Sequence, residues 1–238
     1  MDPLIFALQF FKMKQTIYFI ALVFFIGGCA PARFVEPLDK GQLSVGANLG
    51  GPLIEYAPAV IPLPFVAAEV GYGIDTNFTV HGGLNITSMM FGNFHMDAGI
   101  TYKFLDQKKY IPNVSVSPSF QFVYDVYDKV GKFWPVLDVN AYWNYGNRRN
   151  YFYAGFNNYF ELSKTMANDQ PQAHHWLFSP QIGHIVKGKN QNFQFTTEFK
   201  FLGINLNSKY SFIPYSGLLG DMGSTGVYLG FRWFINKK

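Results

Sequence analysis

From Gly41 onward, apolar and polar residues alternate along the chain with a period of two, the mark of β-strands with two unlike faces. Between Asn113 and Asp125, the residues Val114, Val116, Pro118, Phe120, Phe122 and Tyr124 share one face. Asn113, Ser115, Ser117, Ser119, Gln121, Val123 and Asp125 share the other. Phe193, Phe195, Thr197, Phe199 and Phe201 likewise oppose Gln194, Thr196, Glu198 and Lys200. Near the carboxyl end, Val227, Leu229, Phe231, Trp233 and Ile235 oppose Gly226, Tyr228, Gly230, Arg232 and Phe234. No segment carries a helical period. The pattern predicts ten strands, at 41–51, 63–74, 77–88, 93–105, 112–125, 132–145, 150–162, 175–187, 191–203 and 225–236. Eight or twelve strands stay open, depending on how Pro52–Pro62 and Ile204–Ser224 are read.

Most of these segments exceed the ~5–6 residues usual for globular strands and suit the ~9–11 residues, tilted about 45°, of a membrane-crossing strand. The polar face is mostly Gly, Ser, Thr, Asn and Tyr, with few charges. A soluble sandwich would carry Lys and Glu there instead. Such a face fits the lumen of a small barrel, with the Phe/Val/Leu face against lipid. In lipid the sheet must close, because an open edge would strand unpaired N–H and C=O groups in hydrocarbon. The expected fold is therefore all-β: a closed antiparallel up-and-down transmembrane β-barrel of about ten strands. Links after the second, fourth, sixth and eighth strands are short, whereas Pro52–Pro62, Ser163–His174 and Ile204–Ser224 are longer. Short periplasmic turns and longer outer loops set the expected orientation. Trp143, Trp176, Trp233, Tyr72, Tyr102, Tyr124 and Tyr145 fall on the apolar face near strand ends, as interfacial girdles require.

Composition changes the picture at two points. The 238-residue chain is 49% hydrophobic and 19% aromatic but only 14% charged, against roughly 25% charged in a typical soluble domain. Two strand faces that both avoid ions account for that shortfall. The formal charge of +4 is thinly spread, so no nucleic-acid partner is expected. A single cysteine excludes a disulfide framework and a multi-cysteine metal cluster.

The amino-terminal region reads separately. Ile17–Ile26 is an apolar run too short to span a ~30 Å hydrocarbon core. With Lys14 before it and small residues after it, it reads as a secretory signal peptide. Its end, Ile26-Gly27-Gly28-Cys29, resembles the lipobox of bacterial lipoproteins. That resemblance implies acylation of Cys29 and cleavage before it. Residues 1–28 are then a signal peptide, with translation expected to start at Met13 because Asp2 is out of place in a signal start. Residues 29–40 form an acylated tether and 41–238 the barrel.

The alternating segments together resemble the small outer-membrane β-barrel proteins of double-membraned bacteria. The last strand, from Tyr228 through Phe231 and Trp233 to Ile235, is similar to the carboxy-terminal assembly signal of that group. The resemblance implies outer-membrane lipid and the barrel-assembly machinery as partners, the latter through the last strand.

Ionisable residues with lumen parity are few. Glu69, His81 and Arg232 are expected at one low level, with Asp97, Asp138, Glu198 and Lys200 higher. His95, Lys103 and Glu161 share that parity. These groups form either a paired plug or a charged constriction selecting small solutes. Inward Tyr142, Tyr151, Tyr153, Tyr159 and Tyr228 favour a narrow or closed lumen. His95 and Asp97 share a face near the outer rim, where a carboxylate-oriented histidine can act as a general base. No cofactor or metal motif is present, and neighbouring His174 and His175 point oppositely on a strand. The leading expectation is a non-enzymatic outer-membrane barrel lipoprotein, acting as a narrow pore or a structural or surface-interaction barrel. The alternatives are a rim enzyme acting on lipid or peptide, and a periplasmic lipoprotein binding an apolar ligand.

Overall fold

The structure is a computed structural model, and it describes residues 34–56, 58–147, 150–165, 171–208 and 213–235. The signal-peptide segment, Met13 and Cys29 lie outside the described residues. The strands are β1 (Leu43–Tyr56), β2 (Ala59–Pro62), β3 (Phe65–Asp75), β4 (Phe78–Asn85), β5 (Asn93–Leu105) and β6 (Asn113–Asp125). They continue as β7 (Val130–Tyr145), β8 (Asn150–Phe160), β9 (Trp176–Lys187), β10 (Phe193–Asn207) and β11 (Met222–Ile235). One short helix, α1 (Ile86–Met90), follows β4. Every neighbouring pair is antiparallel, and β11 pairs back onto β1 from Leu43↔Ile235 to Pro52↔Gly226. That ladder closes a barrel of ten strands. β2 stays outside the closure, as the second arm of a hairpin on the end of β1.

All ten expected strands form, and their faces follow the alternation. Burial in β3 runs strictly in and out, with Phe65, Ala67, Glu69, Gly71 and Gly73 buried and the residues between them exposed. Outward residues include Val70, Phe104, Phe152, Phe156, Ile182, Phe195 and Leu229, all exposed. The buried positions of the same strands carry Thr79, Thr101, Ser115, Asn140, Gln181 and Glu198. The molecule is thus apolar outside and largely polar inside, the inverse of a soluble core. Trp143, Trp233, Tyr72 and Tyr102 are exposed on the outer face toward the end where β1 begins (the proximal end), and Trp176 toward the opposite, distal end.

Three details differ from the sequence expectation. Pro52–Pro62 is the β1–β2 hairpin, because Leu53–Tyr56 pairs with Ala59–Pro62. Residues 86–90 form helix rather than strand end or loop, because Asn85 caps them: its side chain accepts from the Ser88 N–H at 2.9 Å. Ile204–Ser224 is shortened from both sides, since β10 runs to Asn207 and β11 starts at Met222. No described helix is long and apolar enough to cross a membrane.

Candidate functional site in the barrel lumen

The lumen is built in three levels. At the proximal end the chain ahead of β1 turns inward instead of trailing away. Phe34, Val35 and Leu38 are buried inside the barrel. Ser115 Oγ donates to the Val35 carbonyl at 2.7 Å, and the Leu38 N–H donates to Thr79 Oγ1 at 2.7 Å. Glu36 accepts from Asn144 Nδ2 at 3.4 Å and from the Lys187 ammonium. Val35 packs into a cluster with Tyr142, Tyr151, Tyr153 and Ile185. The Phe34 ring stacks on His81 at 5.3 Å between centroids and lies under the Arg232 guanidinium at 3.8 Å. Residues 34–39 therefore plug the lumen, a feature without any periodic signal in the sequence.

The wall that receives this plug is made of small residues. Gly71 and Gly73 face inward on β3, and a Cβ on Gly71 would lie 2.3 Å from the Phe34 ring. A Cβ on Gly73 would lie 2.1 Å from the Asp39 carbonyl oxygen. Thr79, Thr101, Ser115 and Ser117 continue this hydroxyl-lined side over β4 to β6, with Thr101 and Ser117 bonded to each other at 2.8 Å. The opposite side, on β7 to β11, carries the bulk: Tyr142, Tyr151, Tyr153 and Tyr228.

The charged residues anticipated from parity all face the lumen, in two groups. In the lower group, Arg232 holds Glu69 Oε1 through Nε at 2.8 Å and Nη2 at 2.6 Å. Asn48 Nδ2 bonds the other carboxylate oxygen at 3.0 Å. Glu69 and Arg232 sit on either side of Gly46 in register, and the missing side chain at Gly46 lets them meet. In the upper group, Glu198 accepts from the Tyr153 hydroxyl at 2.7 Å and lies 3.6 Å from the Lys200 ammonium. Lys200 in turn sits over the Tyr228 ring. Asp138 accepts from Asn157 and from Gln181, both at 3.2 Å, and Gln181 also bonds Asn140 at 2.8 Å. Asp97 faces the lumen from β5, in register between Gly83 and Gln121. His95 lies two residues before it on the same face, with Nδ1 3.4 Å from Ser88 Oγ of α1.

The distal level is apolar on one side. Val123, Trp134, Val136 and Tyr159 form a buried cluster against which Leu177 packs. Beside it opens a pocket enclosing about 520 Å³ of empty space, its mouth included, lined in part by Leu177, Leu202, Leu206 and Tyr215. At the rim, Glu161 accepts from Trp134 Nε1 and from the Ser163 N–H, each at 2.7 Å. Burial pushes the Glu161 carboxyl up, but these hydrogen bonds and nearby Lys132 outweigh it and hold it below the usual carboxylate range. Among the described residues, no group of His, Cys, Asp and Glu has metal-site geometry.

No protein-family model matches the chain, and no curated protein sequence matches it. Solved structures give a general likeness. The translocator domain of the autotransporter NalP from Neisseria meningitidis aligns at 9% identity and a TM-score of 0.48, over 84% of this chain and 90% of that one. An outer membrane channel from Pseudomonas putida aligns at 7% identity and 0.45, over 86% and 99%. The NanC porin aligns at 11% identity and 0.41, over 82% and 100%.

Proposed function

We propose that this chain is an integral outer-membrane β-barrel that forms a narrow pore for small polar solutes, held closed by residues 34–39. The carrying observation is the match between plug and wall: Phe34 and Leu38 fill the small-residue side of the lumen, and Val35 packs against the tyrosines that fill the other. The exposed apolar outer face and the closed ladder support the membrane setting, since lipid satisfies the first and requires the second. Short links at 76–77, 106–112, 146–149 and 188–192 support a periplasmic proximal end. Acylation at Cys29, which the lipobox resemblance implies, would add a second anchor to that of the barrel.

Planar-bilayer recording tests the reading. The full chain is expected to be nearly silent, and deletion of residues 34–39 to produce steady small conductance steps. Equal conductance in both proteins would overturn the plug, and a Cys29→Ala protein extracted by carbonate would overturn the integral barrel.

A second reading rests on one contact, Ser88 Oγ against His95 Nδ1 with Asp97 on the same face. A serine beside a histidine is the beginning of a nucleophile–base pair. Hydrolysis of a short-chain nitrophenyl ester, lost in both Ser88→Ala and His95→Ala, would favour this reading. An inactive wild-type protein rejects it.

A further inference from the structure

The wall between β9 and β10 is incomplete at its distal end. Their backbone ladder runs from Gln194↔Lys187 to Lys200↔Gln181 and stops there, although β9 begins at Trp176 and β10 continues to Asn207. The reason lies in the chain. Asn205 accepts from the Phe178 N–H at 3.0 Å and donates to the Trp176 carbonyl at 2.8 Å, so these main-chain groups face β10. Main-chain direction alternates along a strand, so position 180 faces β10 as well. Pro180 has no N–H to give, and one more step of the ladder would need it. Beyond that point β10 departs from regular pairing with β11 between Leu202 and Asn207, with Gly203 at a φ of 56°. The Gly203 N–H bonds Ser179 Oγ at 3.0 Å rather than a backbone carbonyl. Side-chain hydrogen bonds from Asn205 and Ser179 thus stand in this stretch where a ladder would otherwise run.

Behind this seam lies the distal pocket. Leu177 and Ser179 line it from β9, and Leu202, Gly203 and Leu206 line it from β10. In front of the seam is the apolar outer face, with Trp176 exposed and Phe178 packed on Phe156. The pocket is therefore separated from the outer face by a wall of side-chain contacts. Among the described residues its lining has no charged side chain: Leu177, Leu202 and Leu206 give an apolar surface, and Ser179, Ser208 and Asn207 give neutral polar groups. Much of its empty space is the open mouth, and the enclosed part admits only the end of a hydrocarbon chain.

We propose that this pocket binds the end of a single acyl chain of an outer-leaflet amphiphile, which enters sideways through the β9–β10 seam. The inference rests on the membrane-barrel part of the proposed function but not on the plug. The lining chemistry fits hydrocarbon with a neutral polar end, and the seam adjoins the surface where such chains reside. Three side-chain hydrogen bonds are far easier to open than a continuous ladder, and opening them leaves the rest of the barrel paired.

The test uses the full chain refolded into phosphatidylcholine vesicles, with the fluorescent fatty acid cis-parinaric acid as probe. Wild-type protein is expected to bind the probe saturably. Leu202→Phe and Leu206→Trp, which fill the pocket from two sides, should each weaken binding by about tenfold, within the range of overpacking costs. Pro180→Val restores the missing N–H and should slow uptake without changing the equilibrium. Asn205→Ala removes two of the bridging bonds and should speed it. Absent saturable binding, or unchanged binding in both filled variants, overturns the site. Unchanged uptake rates in Pro180→Val and Asn205→Ala overturn the sideways route. Flotation of each protein with its vesicles reports membrane integration separately, so failure of the barrel reading is distinguishable from failure of the pocket.

Discussion

Arg232→Met is expected to destabilise the folded barrel by about 3–5 kcal/mol, the usual cost of stranding one partner of a buried ion pair. Glu69 keeps only 2% of its side-chain surface exposed, and Arg232 only 7%. Without the guanidinium, one carboxylate oxygen loses two charged donors, while the Asn48 bond to the other is neutral. The site also joins three strands at the point of closure, because β3 carries Glu69, β1 carries Gly46 and Asn48, and β11 carries Arg232. Phe34 loses its cation partner as well, a further contribution of about 0.5–2 kcal/mol. Urea unfolding in lipid vesicles, followed by tryptophan fluorescence and by the gel mobility of the folded form, measures the effect. Arg232→Met with Glu69→Met should recover most of the loss, since removing both charges ends the desolvation problem that removing one creates. A single variant as stable as wild type, or a double variant worse than the single, would reject the account.

The low-level trio shows how far alternation reaches. Parity and position along the strands are enough to put Glu69, His81 and Arg232 at one level of the lumen, because closure sets the tenth barrel strand against the first, whose other neighbour is the second. The upper charges were legible in the same way, and so was the inward set of tyrosines. What parity leaves out is anything without a period. Residues 34–39 make contacts 80 positions away at Ser115 and 151 away at Lys187, and no local pattern encodes such distances. Two signals did exist. Phe34, Val35 and Leu38 are apolar residues in a segment otherwise suited to solvent, and Gly71 and Gly73 are adjacent inward positions with no side chain in a lumen otherwise rich in tyrosine. The distal pocket was hidden for a related reason. Alternation in β10 fails after Leu202, where the strand bulges, and Pro180 looks from sequence like one more outward apolar residue. Its consequence appears only once β10 is known to lie beside it.

Gly71→Val is expected to expel the plug without altering any residue of the plug itself. The Phe34 ring has nowhere to retreat: it is 1% exposed, stacked on His81 on one side and covered by Arg232 on another. A Cβ at position 71 would stand 2.3 Å from one ring atom and 2.8 and 2.9 Å from two more, so the ring must leave. Overpacking costs of about 1–3 kcal/mol correspond to roughly a 5- to 150-fold shift of the docked-to-undocked equilibrium. Gly73→Val should act the same way by a different contact, because its neighbour is the Asp39 backbone, which no rotamer change can relieve. Maleimide labelling of a Val35→Cys reporter in a Cys29→Ser background reads the displacement, slow with both glycines present and fast in either variant. Gly131→Ala supplies the control, since a Cβ there meets nothing nearer than 3.4 Å. Planar-bilayer conductance should rise in parallel with labelling if the plug is what closes the lumen. Fast labelling without conductance would place the seal among Tyr153, Tyr228, Glu198 and Lys200 instead. Unchanged labelling in both glycine variants would mean that the segment does not occupy the small-residue side of the lumen.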